Sequence, residues 1–571
     1  MMNRDNAYSG ASIIVEEGGV PYSGPALTTE QNAIIASEGN IRINAVAGSG
    51  KTTTLIEYAR SRPRGARMLY LAFNKSVQQE ALERFRAQQL LNVSVETTHS
   101  LAYRHIVPRF GYTVRNAYKT QEIVTLLGLQ GFQERHTEFI IANHINKFIT
   151  LFCNSSQQKV QELNYLDVVH EPASKAFVRT FYKAIEQGTR MLLAKMNSGE
   201  AGITHDFYLK KFQLAKPQLD FDYILFDEGQ DASAAMLDVF ARQKAVKVMV
   251  GDTHQSIYSW RYATNALETL DYKSFSLTTS FRFPPGIADL AKKVLAWKRY
   301  ISDHTSVTIK GFGTHREPKS KATIGRTNLG LLMRAIEFIS DHPDVKQLYF
   351  EGNFNSYVYA DDGASLYDIL NLSEGKSDLI RDPLIRSMNS LEELEDYIGK
   401  TEDVPLGLML EIVREYGKEI PSLIRRLKTL QVPASEKDQA EMIFSTVHKS
   451  KGLEYDAVQL VPDFITEGKL ERLTEDEKRE ALKNGKFKEE INLLYVAITR
   501  TRWLLRIPEM LVPKDFPPAS NIILLPAQRK RSSEPEASRE DLQSSFLQSR
   551  QAQKAAVFRW KPEMDDLMKE L

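Results

Sequence analysis

The residues best suited to chemistry are Lys51 and Thr52, directly behind the small-residue run Ala47, Gly48, Ser49 and Gly50. Ile43 to Val46 reads as the end of a buried strand, and Lys51 and Thr52 open a helical pattern. In that setting glycines let backbone N–H groups approach a phosphate. The helix N-terminus adds unpaired donors and the positive end of its dipole. Lys51 then offers a point charge to the outer phosphates of a nucleotide, and Thr52 a hydroxyl to Mg²⁺. Ala45 stands where the general pattern has its first glycine. A plain Gly/Ser turn is the alternative, and residues downstream argue against it.

"YILFDEGQD" is an apolar run ending in two carboxylates, Asp227 and Glu228. Behind a phosphate loop, Asp227 suits the Mg²⁺ shell, while Glu228 suits orienting and deprotonating an attacking water. One short strand later, "VGDTHQSIYSWRYA" places Gln255 just past a strand end, where it could sense a γ-phosphate. Tyr258 and Trp260 alternate with Ser259 and precede Arg261. Aromatics interleaved with a guanidinium suit base stacking on a single strand. Two aromatics in a domain interface are the plainer alternative.

The elements that must position these residues alternate in type. From Leu27 to Phe110, short apolar strands such as "IRINAVA", "RMLYLAF" and "VSVETTHS" are separated by helical runs, including one from Ser76 to Phe85. They lie too far apart for hairpins, which predicts a parallel sheet. From Lys119 to Asn197 strand signals vanish. Ile141, Ile145, Phe148 and Phe152 fall at helical spacing, which predicts an all-helical insertion. "YILFDE" and "AVKVMVGD" resume the α/β pattern, and a second α/β unit is expected from near Phe275. A charge-rich stretch interrupts that unit before "AEMIFSTVHKSKGLEYDAVQLV" and "EINLLYVAITRTRWLLRI".

Composition bounds the reading more than it directs it. The 571 residues suffice for several domains, and 42% hydrophobic with 26% charged is ordinary for a folded chain. Lys+Arg 74 against Asp+Glu 73 leaves +1, so a track for nucleic acid must be local. The single cysteine, Cys153, excludes an intramolecular disulfide and sits in an apolar helical pattern, as a core thiol would. No apolar run is long enough to span a membrane, and the polar start does not suit a signal peptide, so a cytoplasmic protein is expected. His99, His205, His254 and His448 are far apart in sequence, and no metal-site spacing joins them.

Taken together, the motifs resemble those of superfamily 1 helicases of the UvrD/Rep/PcrA type, in family order from about Leu27 to Leu505, and within that family most resemble the F-box DNA helicase core. The resemblance implies further roles. Gln31 of "LTTEQ" would read adenine, and "AVAGSGKT", with Gly48, Ser49 and Gly50, is the family's form of the phosphate loop. Phe73 and Asn74 of "LAFNKS", Thr98 and His99 of "TTHSLAYR", Tyr258, Trp260, and Thr446 and His448 of "STVHKSKGLEYDAV" would touch single-stranded DNA. "GITHDFYLK" resembles a further family stretch near DNA. Phe281 and Arg282 of "LTTSFRFP" would stack on adenine and reach the γ-phosphate. Glu454 would contact ribose, and Arg500 of "LLYVAITRTR" would act as an arginine finger. Gly229, Ser280 and Tyr262 depart from the family's usual alanine, asparagine and glycine.

The implied fold is α/β, with two RecA-like P-loop domains whose parallel sheets each carry an inserted subdomain. Residues 1–26 are expected as a flexible lead-in. The first RecA-like domain is expected over 27–110 and 205–270, with a helical insertion at 111–204. The second is expected over 271–343 and 439–526, with an insertion at 344–438, then a linker and C-terminal helical tail over 527–571. The implied activity is ATP-dependent, Mg²⁺-requiring 3′-to-5′ DNA unwinding or translocation in repair or recombination, on single strands and junctions. The tail is expected to dock a protein partner. Two rivals are kept: a translocase that strips proteins from single strands, and a nucleotide-regulated subunit of a repair or phage-defence complex.

Overall fold

The computed structural model describes residues 26–131, 135–259, 262–302, 306–315, 317–359 and 363–526. The expected lead-in, Trp260 with Arg261, and the linker and tail after Pro526 lie outside the described residues.

The first unit is built on β1 (Ile41–Ala45), β2 (Met68–Ala72), β3 (Val93–Thr97), β4 (Tyr223–Phe226), β5 (Val246–Gly251) and β6 (Lys273–Leu277). They form one sheet in the order β3-β2-β4-β5-β1-β6, with every pairing parallel. Parallel strands covered on both faces must be apolar throughout, and all five residues of β2 are buried. A short pair follows, β7 (Thr279–Ser280) and β8 (Lys310–Gly311). The second unit uses β9 (Lys321–Gly325), β10 (Leu348–Phe350), β11 (Met442–Thr446), β12 (Tyr455–Leu460), β13 (Thr501–Pro508) and β14 (Ile522–Leu525). Its order is β10-β11-β9-β12-β13-β14, again parallel throughout. The expected α/β class with two parallel sheets is therefore observed.

Two expected boundaries need correction. The strand near Phe275 does not open the second unit. As β6 it pairs with β1 through Ile43↔Phe275 and completes the first sheet. Leu348–Phe350 falls inside the stretch expected as the second insertion, yet it is the edge strand of the second sheet, paired with β11. Three residues are too few for a periodic signal, so only their pairing reveals them.

Between β3 and β4 the regular elements are helices, including Thr137–Asn154 and the 27-residue Pro172–Ser198. Ile141, Ile145, Phe148, Phe152 and Cys153 all face the core. Burial pushes the Cys153 thiol pKa far up, as for an inert core thiol. Between β10 and β11 lie further helices, among them Leu391–Thr401 and Ile420–Leu430. The two helical regions meet. The His144 Nε2–H donates to Lys400 O at 3.1 Å, and Glu402 accepts from the His170 and Glu171 amides at 2.8 and 2.6 Å. One continuous core runs from one face of the first sheet through both helical regions to Phe350 and Phe444 of the second sheet. Val46, Ala47 and Ile257 of the first unit pack into the second unit's other core, which ties the two sheets at the cleft.

Candidate nucleotide cleft and nucleic-acid face

The phosphate loop is set by β1 and the Lys51–Arg60 helix. Gly50 caps that helix at φ 78°, and Gly48 has φ 73°, both in the left-handed region that favours glycine. Gly48 is also crowded. A Cβ there would lie 2.5 Å from the Arg282 Cβ and 2.8 Å from the Ser280 Oγ. The Phe281 amide donates to Gly48 O at 2.9 Å, so the Ser280–Arg282 turn is bonded directly to the loop. Ser49 is buried, and its Oγ has no hydrogen-bond partner among the described residues. A buried hydroxyl without a partner, beside glycines at a ten-residue helix N-terminus, fits a ligand rich in acceptors such as a polyphosphate. Gln31 is held by a capping box with Thr28, and its Nε2 donates to Thr54 Oγ1 at 3.1 Å, behind the loop.

Lys51 reaches across to β4. Its Nζ lies 2.6 Å from Glu228 Oε1. Burial alone would lower the Lys51 pKa, but the charges of Glu228 and then Asp227 outweigh it and raise the value. Asp227 is 2% exposed and accepts a hydrogen bond from Tyr70 OH. Burial and the neighbouring Glu228 charge push its carboxyl up. Burial also acts to raise Glu228, but Lys51 and Lys451 override it and hold that carboxylate down. The pair is therefore split into one reluctant and one firmly ionised acid. Thr52, half-buried at the second position of the helix, is the hydroxyl on the loop side.

The basic groups come from the turn after β7 and from the residue leading into β13. Arg282 Nε bonds Glu454 Oε2 at 2.7 Å, and Arg282 Nη1 donates to Thr499 O at 3.0 Å. Glu454 also pairs with Arg502. Arg500 is 1% exposed, and its Nη2 donates to Gln255 Oε1 at 3.1 Å. Burial, then repulsion from Arg282, lowers the Arg500 pKa to about 9. Gln255 donates in turn to Asp252 Oδ2 at 2.8 Å. Phe281 leaves its ring 49% exposed at the mouth of the cleft. The structure thus brings Gly48, Ser49, Gly50, Lys51, Thr52, Asp227, Glu228, Gln255, Phe281, Arg282, Glu454 and Arg500 to one cleft between the sheets.

The candidate DNA residues separate into two groups. The Phe73 and Tyr258 rings stack at 5.5 Å, and Lys451 Nζ lies 4.9 Å from the Tyr258 ring. His448 Nε2–H donates to Ile257 O at 3.1 Å, and burial brings its pKa down to about 4. Asn74 caps the Lys75–Ala87 helix through the Val77 amide, and His99 lies half-exposed 3.9 Å from Asp206. By contrast, Thr98 and Thr446 are 7% and 5% exposed, and Thr98 Oγ1 lies 3.7 Å from the Met236 sulphur. Thr98 opens the Thr98–Phe110 helix and Thr446 closes β11, so each is covered where a strand passes into a helix.

One of the departures, Gly229, has a physical reason, and nothing in the structure explains Tyr262. A Cβ at Gly229 would lie 2.6 Å from Met249 Cγ, so glycine here accommodates a large neighbour on β5. Tyr262 has φ 56°, a left-handed conformation where glycine is the easy residue.

Sequence reasoning assigned no role to several residues at the centre of the cleft. Tyr495 OH donates to Asp252 Oδ2 at 2.9 Å and receives the Ala47 amide at 3.3 Å, joining the sheets at the phosphate loop. Lys451 pairs with buried Asp231 and donates to Gln255 O at 2.6 Å. Tyr70 supports Asp227. The available signal was a lone hydroxyl inside an apolar run, in "MLYLA" and "NLLYVAI". Among the described residues no group of His, Cys, Asp and Glu is placed to hold a metal by itself, and no helix is long and apolar enough to cross a membrane.

Comparison with known proteins agrees with this arrangement. Residues 27–276 match the UvrD/REP helicase N-terminal domain. The chain is 29% identical over 511 residues to F-box DNA helicase 1 of Gallus gallus, covering 85% of this chain and 49% of that protein. It is 29% identical over 532 residues to F-box DNA helicase protein 1 of Schizosaccharomyces pombe, covering 84% and 58%. It is 24% identical over 302 residues to ATP-dependent DNA helicase PcrA of Leuconostoc citreum, covering 47% and 38%. The chain spans roughly half the length of its F-box relatives. The UvrD-like resemblance carried by the motifs is confirmed.

Proposed function

We propose that this UvrD-like chain is an ATP-dependent motor on single-stranded DNA that unwinds duplex in the 3′-to-5′ direction during repair or recombination. The observation that carries the reading is the bond between Arg500, delivered by the second sheet, and Gln255 of the first. It joins a transition-state arginine to a phosphate sensor across the cleft that holds Lys51 and Glu228. Thr52 and Asp227 would hold Mg²⁺, which neutralises charge on the phosphates when bound. Lys51 exchanges its Glu228 partner for phosphate oxygen, and the released Glu228 orients and deprotonates the attacking water. Asp227 stays anchored by Tyr70. Gln31 and Phe281 flank the loop where adenine would lie. Arg282 and Arg500 stabilise charge only while the sheets are close, so each turnover alternates closure with opening. Phe73, Tyr258 and His448 straddle both units, so that alternation would move a strand laid over them. Stacking and phosphate contacts read no sequence, so movement is sequence-tolerant.

The test is ATP turnover alone and with single-stranded DNA, RNA or duplex, followed by unwinding of forks with 3′ or 5′ tails. Stimulation by single-stranded DNA with 3′-tail preference is expected. Turnover indifferent to DNA would overturn the motor and favour a nucleotide-regulated subunit.

A further inference from the structure

We infer that the single-strand path continues beyond Phe73 and His99 onto an aromatic and basic face of the Thr98–Phe110 helix, where Tyr103 and Phe110 stack bases and Lys211 with Arg109 meets phosphates. The inference rests on the nucleic-acid reading above and extends its site.

The topology supplies the starting point. β2 and β3 are neighbours in register, Ala72 opposite Thr97. Phe73 and His99 therefore leave the sheet at the same edge. From that edge the Thr98–Phe110 helix leads away, and His99, Tyr103 and Phe110 fall four and seven residues apart on one face of it. The rings of Tyr103 and Phe110 are 46% and 49% exposed. Neither is needed to close the core, and large exposed rings aligned on one helix face call for an occupant.

The surroundings say which one. Tyr208, from the His205–Leu214 helix, sits edge-on to both His99 and Tyr103 at 6.1 and 5.8 Å and fixes their rings. Phe110 stacks on Tyr112 at 5.4 Å. Lys211 Nζ lies 4.2 Å from the Phe110 ring, held by Tyr112 OH at 2.8 Å and Asn197 Oδ1 at 2.7 Å. Arg109 Cζ also lies over the Phe110 ring, 5.8 Å from its centroid. Among the described residues, neither cation forms a salt bridge. The acids nearby are Asp206 at His99 and Glu96, which is engaged by Arg104. Rigid rings flanked by cations without acidic partners match a polyanion whose bases have exposed faces, which is single-stranded nucleic acid. Tyr103 and Phe110 are about 10 Å apart along the axis, room for roughly three stacked nucleotides.

The experiment compares wild type with the Tyr103→Ala/Phe110→Ala double variant by fluorescence anisotropy on a length series of labelled oligothymidylates. On the longest, affinity is expected to fall roughly five- to a hundredfold for each stacked base lost. On the shortest, which reach only Phe73 and Tyr258, the two proteins are expected to bind alike. Basal ATP turnover and the unfolding midpoint should not change, since both rings are at the surface. The ring-retaining pair Tyr103→Phe/Phe110→Tyr is expected to keep wild-type affinity at every length. Equal affinities of wild type and double alanine variant on long strands would overturn the track while leaving the motor intact, and would assign the rings to a protein contact. Failure of wild type to bind any oligothymidylate would overturn both.

Discussion

Lys51 and Arg500 test the cleft from opposite sides. Lys51 contacts Glu228 at 2.6 Å, its side chain 14% exposed and paired with a charge rather than packed into a hydrophobic core. Lys51→Ala is therefore expected to keep the fold, measured by circular dichroism and thermal unfolding, and to lower ATP turnover by at least about a hundredfold, as loss of a charge-stabilising donor does. Normal DNA-stimulated turnover in that variant would place the phosphates elsewhere. Arg500 differs because it is fully buried and bonds Gln255 Oε1, Leu453 O and Val496 O. Arg500→Ala should lose about three to five powers of ten in turnover while calorimetry still detects nucleotide. It should also unfold earlier, because orphaned buried acceptors cost about 1–3 kcal/mol. Unchanged turnover would remove Arg500 from the reacting cleft. At this scale the sequence was most readable where the residue belongs to a local motif, as Lys51 does. It was silent on Tyr70, Tyr495 and Lys451, whose roles exist only through partners on other elements.

Among elements, the contact between the two helical regions carries a titrating group. His144, on the Thr137–Asn154 helix, accepts from Tyr165 OH at 2.9 Å and donates to Lys400 O on the Leu391–Thr401 helix. Burial, then the Lys147 charge, lowers its pKa from 6.5 to about 4. The folded form thus binds fewer protons than the unfolded one between those values. Its contribution is complete above pH 6.5 and is lost as pH falls toward 4, about 2 kcal/mol by pH 5. Urea unfolding at pH 7 and pH 5 should show a loss about 2 kcal/mol larger in the wild type than in His144→Gln, where buried His448, also lowered to about 4, still contributes its own share. An equal loss in both would place the acid sensitivity elsewhere. Helical character in these regions was legible from spacing, as Ile141, Ile145, Phe148 and Phe152 show. Their mutual packing was not, because Lys400 and His144 are 256 residues apart and neither pattern names the other.

At the scale of the whole molecule, the last strand among the described residues is β14, which ends at Leu525 on the edge of the second six-stranded sheet. The six described strands of each large sheet all lie before Pro526. A chain ending at Pro526 is therefore expected to retain DNA-stimulated ATP turnover within about twofold and to keep its unfolding midpoint, since large losses need a named buried feature to be removed. Loss of turnover or instability would show that residues 527–571 support the core. A tail that docks a partner instead predicts that this truncation loses a protein interaction and nothing else.

By itself the sequence determined the class of fold, the glycine-rich turn between a strand and a helix, and the acidic strand end. These depend on local chemistry: apolar runs that must be covered on both faces, glycines at positive φ, carboxylates placed at a strand end. Tertiary structure alone decided that β6 completes the first sheet, that Thr98 and Thr446 are covered, and that Tyr495 and Arg500 reach Asp252 and Gln255. Parallel strands pair with partners far away in the chain, and a side chain's burial is fixed by the element that packs over it. Neither quantity is written in the residues on either side.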